Sequence, residues 1–128
     1  MSVAALAFNE YMSVSRETLN PRAVEYQVFS RITNRLEQTK TDNDPLRKNL
    51  IEALYENGQL WSYIAADVSS DENGLPKDLR GRLFYLSEFM RVQTSRILNK
   101  ESDVQAIIDI NRAIMEGLRT NITTTQKG

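Results

Sequence analysis

The chain of 128 residues contains neither cysteine nor histidine. It therefore cannot form disulfides, thiolate zinc sites, thiol nucleophiles or imidazole bases, and a di-iron bundle built on Glu-x-x-His pairs is excluded as well. No apolar stretch approaches the ~20 residues of a membrane span. The first residues also lack the basic region and long apolar stretch of a signal peptide. We expect a cytoplasmic protein, a location that the absence of cysteine fits.

A large net charge is also absent, since 16 basic and 17 acidic residues leave −1. The distribution is less even, because six bases against two acids give the stretch from Pro76 to Lys100 a charge of +4. The six bases are Lys77, Arg80, Arg82, Arg91, Arg96 and Lys100. One interpretation is that helices of opposite sign lie side by side. The alternative is a direct RNA-binding face, which the overall charge disfavours, so nucleic acid is not an expected partner.

Catalytic chemistry is limited to carboxylates that share a helix face or lie near a helix start, such as the pair Glu52 and Glu56. Such pairs usually form a solvated face or favourable charge at a helix terminus. The sequence contains no glycine-rich phosphate loop. We expect no enzymatic activity, no metal and no cofactor.

Three prolines divide the chain, each where the first turn of a helix tolerates it: Pro21, Pro45 and Pro76. Asn20 and Asp44 add suitable N-caps, and Ser102 with Gln105 has the spacing of a capping box. These signals predict four long helices over Pro21–Thr39, Pro45–Ser69, Pro76–Asn99 and Asp103–Thr120. A short amphipathic helix over Val3–Val14 is predicted before them, and residues 121–128 are predicted to be a polar, disordered tail.

Each long segment carries apolar residues at helical spacing, and period-two alternation is not sustained anywhere. With short connections, this pattern predicts an all-α fold, an up-and-down bundle in one domain over residues 1–120. Asn57-Gly58 is a strong turn signal, yet the apolar stripe keeps its phase from Leu54 to Trp61. We therefore predict one uninterrupted helix there, in which Gly58 lets another helix approach closely.

A second apolar edge marks the third long helix, where Tyr85, Phe89 and Val92 are offset from the stripe that contains Met90. A helix apolar on two faces either packs centrally or offers a groove to a partner. Here the alternatives are packing against the N-terminal segment and binding of a partner helix. The residues predicted to bind a partner are Asn57, Trp61, Tyr85, Phe89, Met90, Val92, Asn111 and Met115.

For three of these residues a structural role competes with binding. Trp61 is the only tryptophan and lies on the core stripe of a helix that also has small residues at Gly58, Ser62, Ala65 and Ala66. That strip either packs internally or receives a partner's helix. Asn57 and Asn111 fall on apolar stripes, where a buried amide either fixes helix register or bonds a partner's main chain.

Four segments in order resemble the FlaF family of flagellar biosynthesis regulators. They are Asn20-Pro21-Arg22-Ala23 with Glu25-Tyr26 and Phe29; Ala53-Leu54 with Asn57 and Trp61; Leu75-Pro76 with Leu79-Arg80; and Ile110-Asn111-Arg112-Ala113-Ile114-Met115-Glu116-Gly117-Leu118. The resemblance runs from about Tyr11 to Leu118. The residues before Tyr11 and the Thr-rich tail lie outside it.

The resemblance implies a cytoplasmic protein of alphaproteobacterial flagellar systems that regulates flagellin production. It implies a flagellin-specific export chaperone as the leading function, linked to control of flagellin synthesis. The alternatives are an adaptor for FlbT, a regulator of flagellin translation, and a regulator that binds RNA directly.

Overall fold

The computed structural model describes the backbone of residues 21–127 and the side chains of residues 25–118. This part of the chain contains four α-helices and no strand, which confirms the all-α prediction. The helices are α1 (Pro21–Thr39), α2 (Lys48–Val68), α3 (Lys77–Leu98) and α4 (Gln105–Lys127). The predicted helix over Val3–Val14 and the predicted cap at Asn20 lie outside the described residues.

The described residues form two compact units. The hairpin unit consists of residues 44–107 and contains α2, α3 and the first residues of α4. The terminal unit consists of residues 21–43 and 108–127, and so contains α1 and most of α4. An up-and-down bundle in one domain over residues 1–120 stays a prediction.

The terminal unit takes its core from one face of α1. The buried side chains there recur every three or four residues, as helical periodicity requires, and they are Val28, Phe29, Ile32 and Leu36. Ile108 and Leu118 are buried on α4. Arg112 joins the two helices through an ion pair with Glu37, with Nη2 to Oε2 at 2.8 Å. Because this pair is half-exposed, it contributes little to stability, at most ~1 kcal/mol.

Thr33 is the exception in this core, because its buried hydroxyl has no hydrogen-bond partner among the described residues. An unsatisfied buried hydroxyl costs on the order of 1–3 kcal/mol. We expect Thr33→Val, which keeps the branched shape, to raise the free energy of unfolding by about 1 kcal/mol. Urea unfolding followed by circular dichroism measures this change. Thr33→Ala, which also removes packing, should lower stability, and a loss of stability in both variants would contradict the prediction.

The hairpin unit is built on the packing of α2 against α3. Its buried apolar side chains include Ala53, Leu54, Leu60, Trp61 and Val68 on α2 and Met90 and Ile97 on α3. Helix α2 runs without a break through Gly58, as the phase of its apolar stripe predicted. The accompanying prediction of a close helix approach at Gly58 is wrong, because a Cβ placed there would have no atom of the described residues within 4 Å.

Two arginines hold α2 and α3 antiparallel. Arg47, just before α2, donates from Nη2 to the Ile97 carbonyl at 2.7 Å and from Nη1 to the Leu98 carbonyl at 3.3 Å. Arg80, in the first turn of α3, donates from Nε to the Val68 carbonyl at 2.8 Å. Each helix therefore begins beside the end of the other. The arginines also satisfy carbonyl groups near the helix C-termini, where positive charge is favourable.

Helix α2 begins at Lys48, so the predicted start at Pro45 is wrong by three residues. Arg47 is in the left-handed region with φ 56°, which interrupts the helical backbone before Lys48. The carboxylate of Asp44 still accepts a hydrogen bond from the N–H of Asn49 at 3.1 Å. Asp44 thus satisfies an N–H of the first turn, although it lies four residues before the helix.

Both ends of α4 also differ from prediction. The helix begins at Gln105, whose N–H donates to the Asp103 carboxylate at 2.9 Å. The Ser102 hydroxyl accepts a hydrogen bond from Nε2 of Gln93 on α3 at 2.6 Å. At the other end, the predicted disordered tail over residues 121–128 is not confirmed, because α4 continues to Lys127.

Candidate partner-binding surface

One face of α3 carries an apolar strip with a basic residue at each end. We call its five residues the α3 seam: Arg82, Tyr85, Phe89, Val92 and Arg96. Successive members are alternately three and four residues apart, so they share one side of the helix. The buried residues Met90 and Ile97 each follow a seam residue by one position, ~100° around the helix, and buried Gln93 lies four residues after Phe89. The α3 seam is therefore exposed at Tyr85 and Val92 and borders the core at Phe89.

The apolar members of the α3 seam are accessible to solvent. Tyr85 is 68% exposed and Val92 is 48% exposed, while Phe89 is half-buried. Exposed aromatic side chains that are held on a rigid helix are common anchors in protein interfaces. This strip is the second apolar edge that the sequence indicated, and it is exposed at Tyr85 and Val92. The N-terminal segment, against which the alternative interpretation packs it, lies outside the described residues.

An open hollow lies at the N-terminal end of the α3 seam. It has a volume of about 700 Å³ and lies beside Lys77, Asp78, Gly81, Arg82, Tyr85 and Leu86. A Cβ placed at Gly81 would meet no described atom within 4 Å, so the part of the hollow beside Gly81 is free of described side chains. A bulky side chain of a partner could occupy this space against the tyrosine ring.

The α3 seam also carries two positively charged side chains. The guanidinium groups of Arg82 and Arg96 form no hydrogen bond or ion pair among the described residues, and both residues are exposed. By contrast, Arg91 pairs with Glu88 one turn earlier, with Nη2 to Oε2 at 3.2 Å. The guanidinium groups of Arg82 and Arg96 remain available to a carboxylate from outside.

A second concavity runs between α2 and α3. This groove has a volume of about 210 Å³ and is lined by Gly58, Trp61, Ser62, Ala65, Ser87, Glu88, Met90, Arg91 and Thr94. Its α2 side consists largely of the small-residue strip that the sequence indicated. Ser62 is exposed and Ala65 half-buried, so the strip is not closed by tight internal packing.

The predicted partner-binding residues fall into two groups. Tyr85 and Val92 are exposed, and Phe89 and Met115 are half-buried. The other four are fully enclosed: Asn57, Trp61, Met90 and Asn111. Nδ2 of Asn57 donates to Sδ of Met90 across the hairpin at 3.7 Å, so these two core residues contact each other. A role of the enclosed residues in partner binding stays a prediction.

Arg82 and Arg96 are not among the partner-binding residues predicted from the sequence. They belong to the basic stretch from Pro76 to Lys100, for which RNA binding was the alternative interpretation. Their spacing of three residues before Tyr85 and four after Val92 was the available signal. That signal was masked because Arg80 and Arg91 lie in the same stretch, and both are engaged within the hairpin unit.

These features define a protein that is helical over its described residues and that displays an amphipathic face on α3 of the hairpin unit. The chain belongs to the FlaF family, since the family model described as flagellar protein FlaF matches residues 7–118. Searches of curated proteins and of solved structures find no match. None of the helices within residues 21–127 combines the length and hydropathy needed to cross a membrane.

Proposed function

We propose that the protein is a cytoplasmic regulator of flagellar biosynthesis that acts by binding proteins, without enzymatic activity. Its main partner is flagellin, which it holds in an export-competent state and whose availability it couples to control of flagellin synthesis. Binding is stoichiometric, so the protein covers the apolar face of unassembled flagellin and prevents premature polymerisation.

The observation that carries this proposal is the exposure of Tyr85 and Val92 on a helix that is already stabilised by its packing on α2. The terminal segments of unassembled flagellin can form amphipathic helices. Such a helix buries its apolar face when it lies along a matching apolar strip. Membership of a flagellar family supports flagellin as the source of that helix.

Calorimetric titration of the full chain with monomeric flagellin tests the proposal. We expect a one-to-one complex, and Tyr85→Ala should weaken it at least tenfold, or about 1.4 kcal/mol, because an exposed aromatic anchor is lost. Since Tyr85 projects into solvent, the variant should keep the circular dichroism spectrum and melting temperature of the wild type.

Phe84→Ala provides the matched control. Phe84 is a neighbouring aromatic residue that is also exposed, at 46%, but it points ~100° away from Tyr85 around the helix. This variant should bind flagellin within about twofold of the wild type. No binding of the wild type at tens of micromolar would contradict the proposal. Equal losses in the two variants would show that the α3 seam is not the contact.

A further inference from the structure

We propose that the α3 seam recognises an amphipathic helix whose apolar stripe is bounded at both ends by Asp or Glu. The inference rests on the proposed function, since it specifies the chemistry of the segment that the protein binds. It assigns separate roles to the two parts of the seam. Tyr85, Phe89 and Val92 bury the apolar stripe, while Arg82 and Arg96 select for carboxylates at its ends.

The spacing of the seam specifies a helical partner. Alternation of three and four residues is the repeat that lets two helices pack along a shared apolar line. From Arg82 to Arg96 the seam covers 14 residue steps, or about 21 Å of helix at ~1.5 Å per residue. A partner helix with the same repeat would therefore place its flanking carboxylates four turns apart, each beside one arginine.

The distribution of arginine bonds supports a role for the two guanidinium groups outside the chain. The hairpin unit contains five arginines. Arg47 and Arg80 hold the ends of α2 and α3 together, and Arg91 pairs with Glu88. The remaining two, Arg82 and Arg96, have no such bonds among the described residues, and they are the two that flank the apolar strip.

Pairing of the α3 seam with a second copy of itself is disfavoured by the same charges. In an antiparallel pair centred on Phe89, Arg82 of one copy would face Arg96 of the other. In a parallel pair, each arginine would face its own equivalent. Both arrangements bring like charges together at each end of the strip, which disfavours self-association and leaves the seam for a different, acidic helix.

RNA fits this surface less well than an acidic helix. Eight basic and ten acidic residues give the hairpin unit a net charge of −2. Two separated arginines with an apolar strip between them match carboxylates at fixed positions better than a continuous line of phosphates.

Two synthetic helical peptides test the inference directly. Both carry the same leucine stripe with alternating three- and four-residue spacing, and they differ only in having Glu or Lys at both ends of that stripe. We expect the full chain to bind the Glu-flanked peptide at least tenfold more tightly in a fluorescence anisotropy titration. The negative net charge of the protein by itself would favour the Lys-flanked peptide. Tighter binding of the Glu-flanked peptide would therefore report the local positive charge of the seam.

Charge reversal in the protein provides the second measurement. Arg82→Glu combined with Arg96→Glu should reverse the order, so that the Lys-flanked peptide binds about tenfold more tightly than the Glu-flanked one. The matched control, Lys48→Glu with Lys100→Glu, changes the net charge by the same amount at exposed positions outside the seam. The control variant should bind the two peptides with the same order of affinity as the wild type. Circular dichroism should show that both double variants are folded.

The outcomes separate this inference from the proposed function. Equal affinity of the wild type for both peptides, no affinity for either, or reversal in the control variant would overturn the inference. Flagellin binding that depends on Tyr85 but not on Arg82 or Arg96 would also overturn it, while leaving the proposed function in place. A structured RNA oligonucleotide that binds the wild type and displaces the Glu-flanked peptide would assign the seam to nucleic acid instead.

Discussion

Trp61→Ala is expected to lower the free energy of unfolding by about 3–5 kcal/mol, a large part of the stability of a small domain. Trp61 is 1% exposed and contributes to the wall of the groove between α2 and α3. Removal of the indole ring deletes its contacts and leaves a cavity that the two packed helices can fill only in part. The loss should be a loss of folding stability, whatever the effect on partner binding.

Urea unfolding followed by circular dichroism measures this effect, since the variant has no tryptophan fluorescence. Tyr55→Ala on the same helix is the matched control, because Tyr55 is exposed and its removal should change stability by less than about 0.5 kcal/mol. Trp61→Phe should retain a substantial part of the wild-type stability. If Trp61→Ala unfolded at the wild-type urea concentration and only partner binding fell, Trp61 would be an interface anchor rather than a core residue.

Local signals in the sequence predicted the helices with considerable success. Proline at the first helical position and the phase of the apolar stripes placed α1 at Pro21–Thr39, the bounds that the structure gives. The start of α2 was less predictable. It depends on Arg47, which takes a left-handed backbone conformation and bonds the carbonyl of Ile97, 50 residues later. No local pattern identifies a contact over that distance.

The candidate binding surface was only partly predictable for a similar reason. A stripe of apolar residues shows which side of a helix is apolar, but not whether another element covers it. The sequence therefore identified Tyr85 and Phe89 without deciding between packing and exposure. Whether Arg82 is available to a partner depends on which arginine side chains form bonds within the hairpin unit. Those bonds follow from the antiparallel arrangement of α2 and α3, and one example is the bond from Arg80 to the Val68 carbonyl.

Asn57 shows how a polar residue on an apolar stripe can belong to the core. Its side chain is 0% exposed, and its Nδ2 donates across the hairpin to Sδ of Met90 at 3.7 Å. Asn57→Asp keeps the shape but replaces this donor with a carboxylate that faces a sulfur acceptor. We expect the variant to be less stable than the wild type by about 3–5 kcal/mol at pH 7, because it removes this donor and buries a negative charge.

The pH dependence of that loss distinguishes charge from shape. Burial raises the pKa of the introduced carboxyl above that of an exposed aspartate, because desolvation disfavours its ionised form. The folded variant therefore binds a proton more tightly than the unfolded chain does. Its deficit relative to the wild type is largest above the raised pKa and shrinks as the pH falls through that value. Below the pKa that the introduced carboxyl has in the unfolded chain, the carboxyl is protonated in both states. The electrostatic part of the stability deficit is then lost.

Urea unfolding of the wild type and of Asn57→Asp between about pH 7 and pH 4 measures this difference. Asn34→Asp, at an exposed position on α1, is the matched control and should stay within about 0.5 kcal/mol of the wild type. A deficit that is independent of pH would attribute the loss to packing or hydrogen bonding alone. A stability deficit that becomes smaller as the pH falls would show that the charge of the introduced carboxylate causes the loss. The core of the hairpin unit would then require an uncharged side chain at position 57.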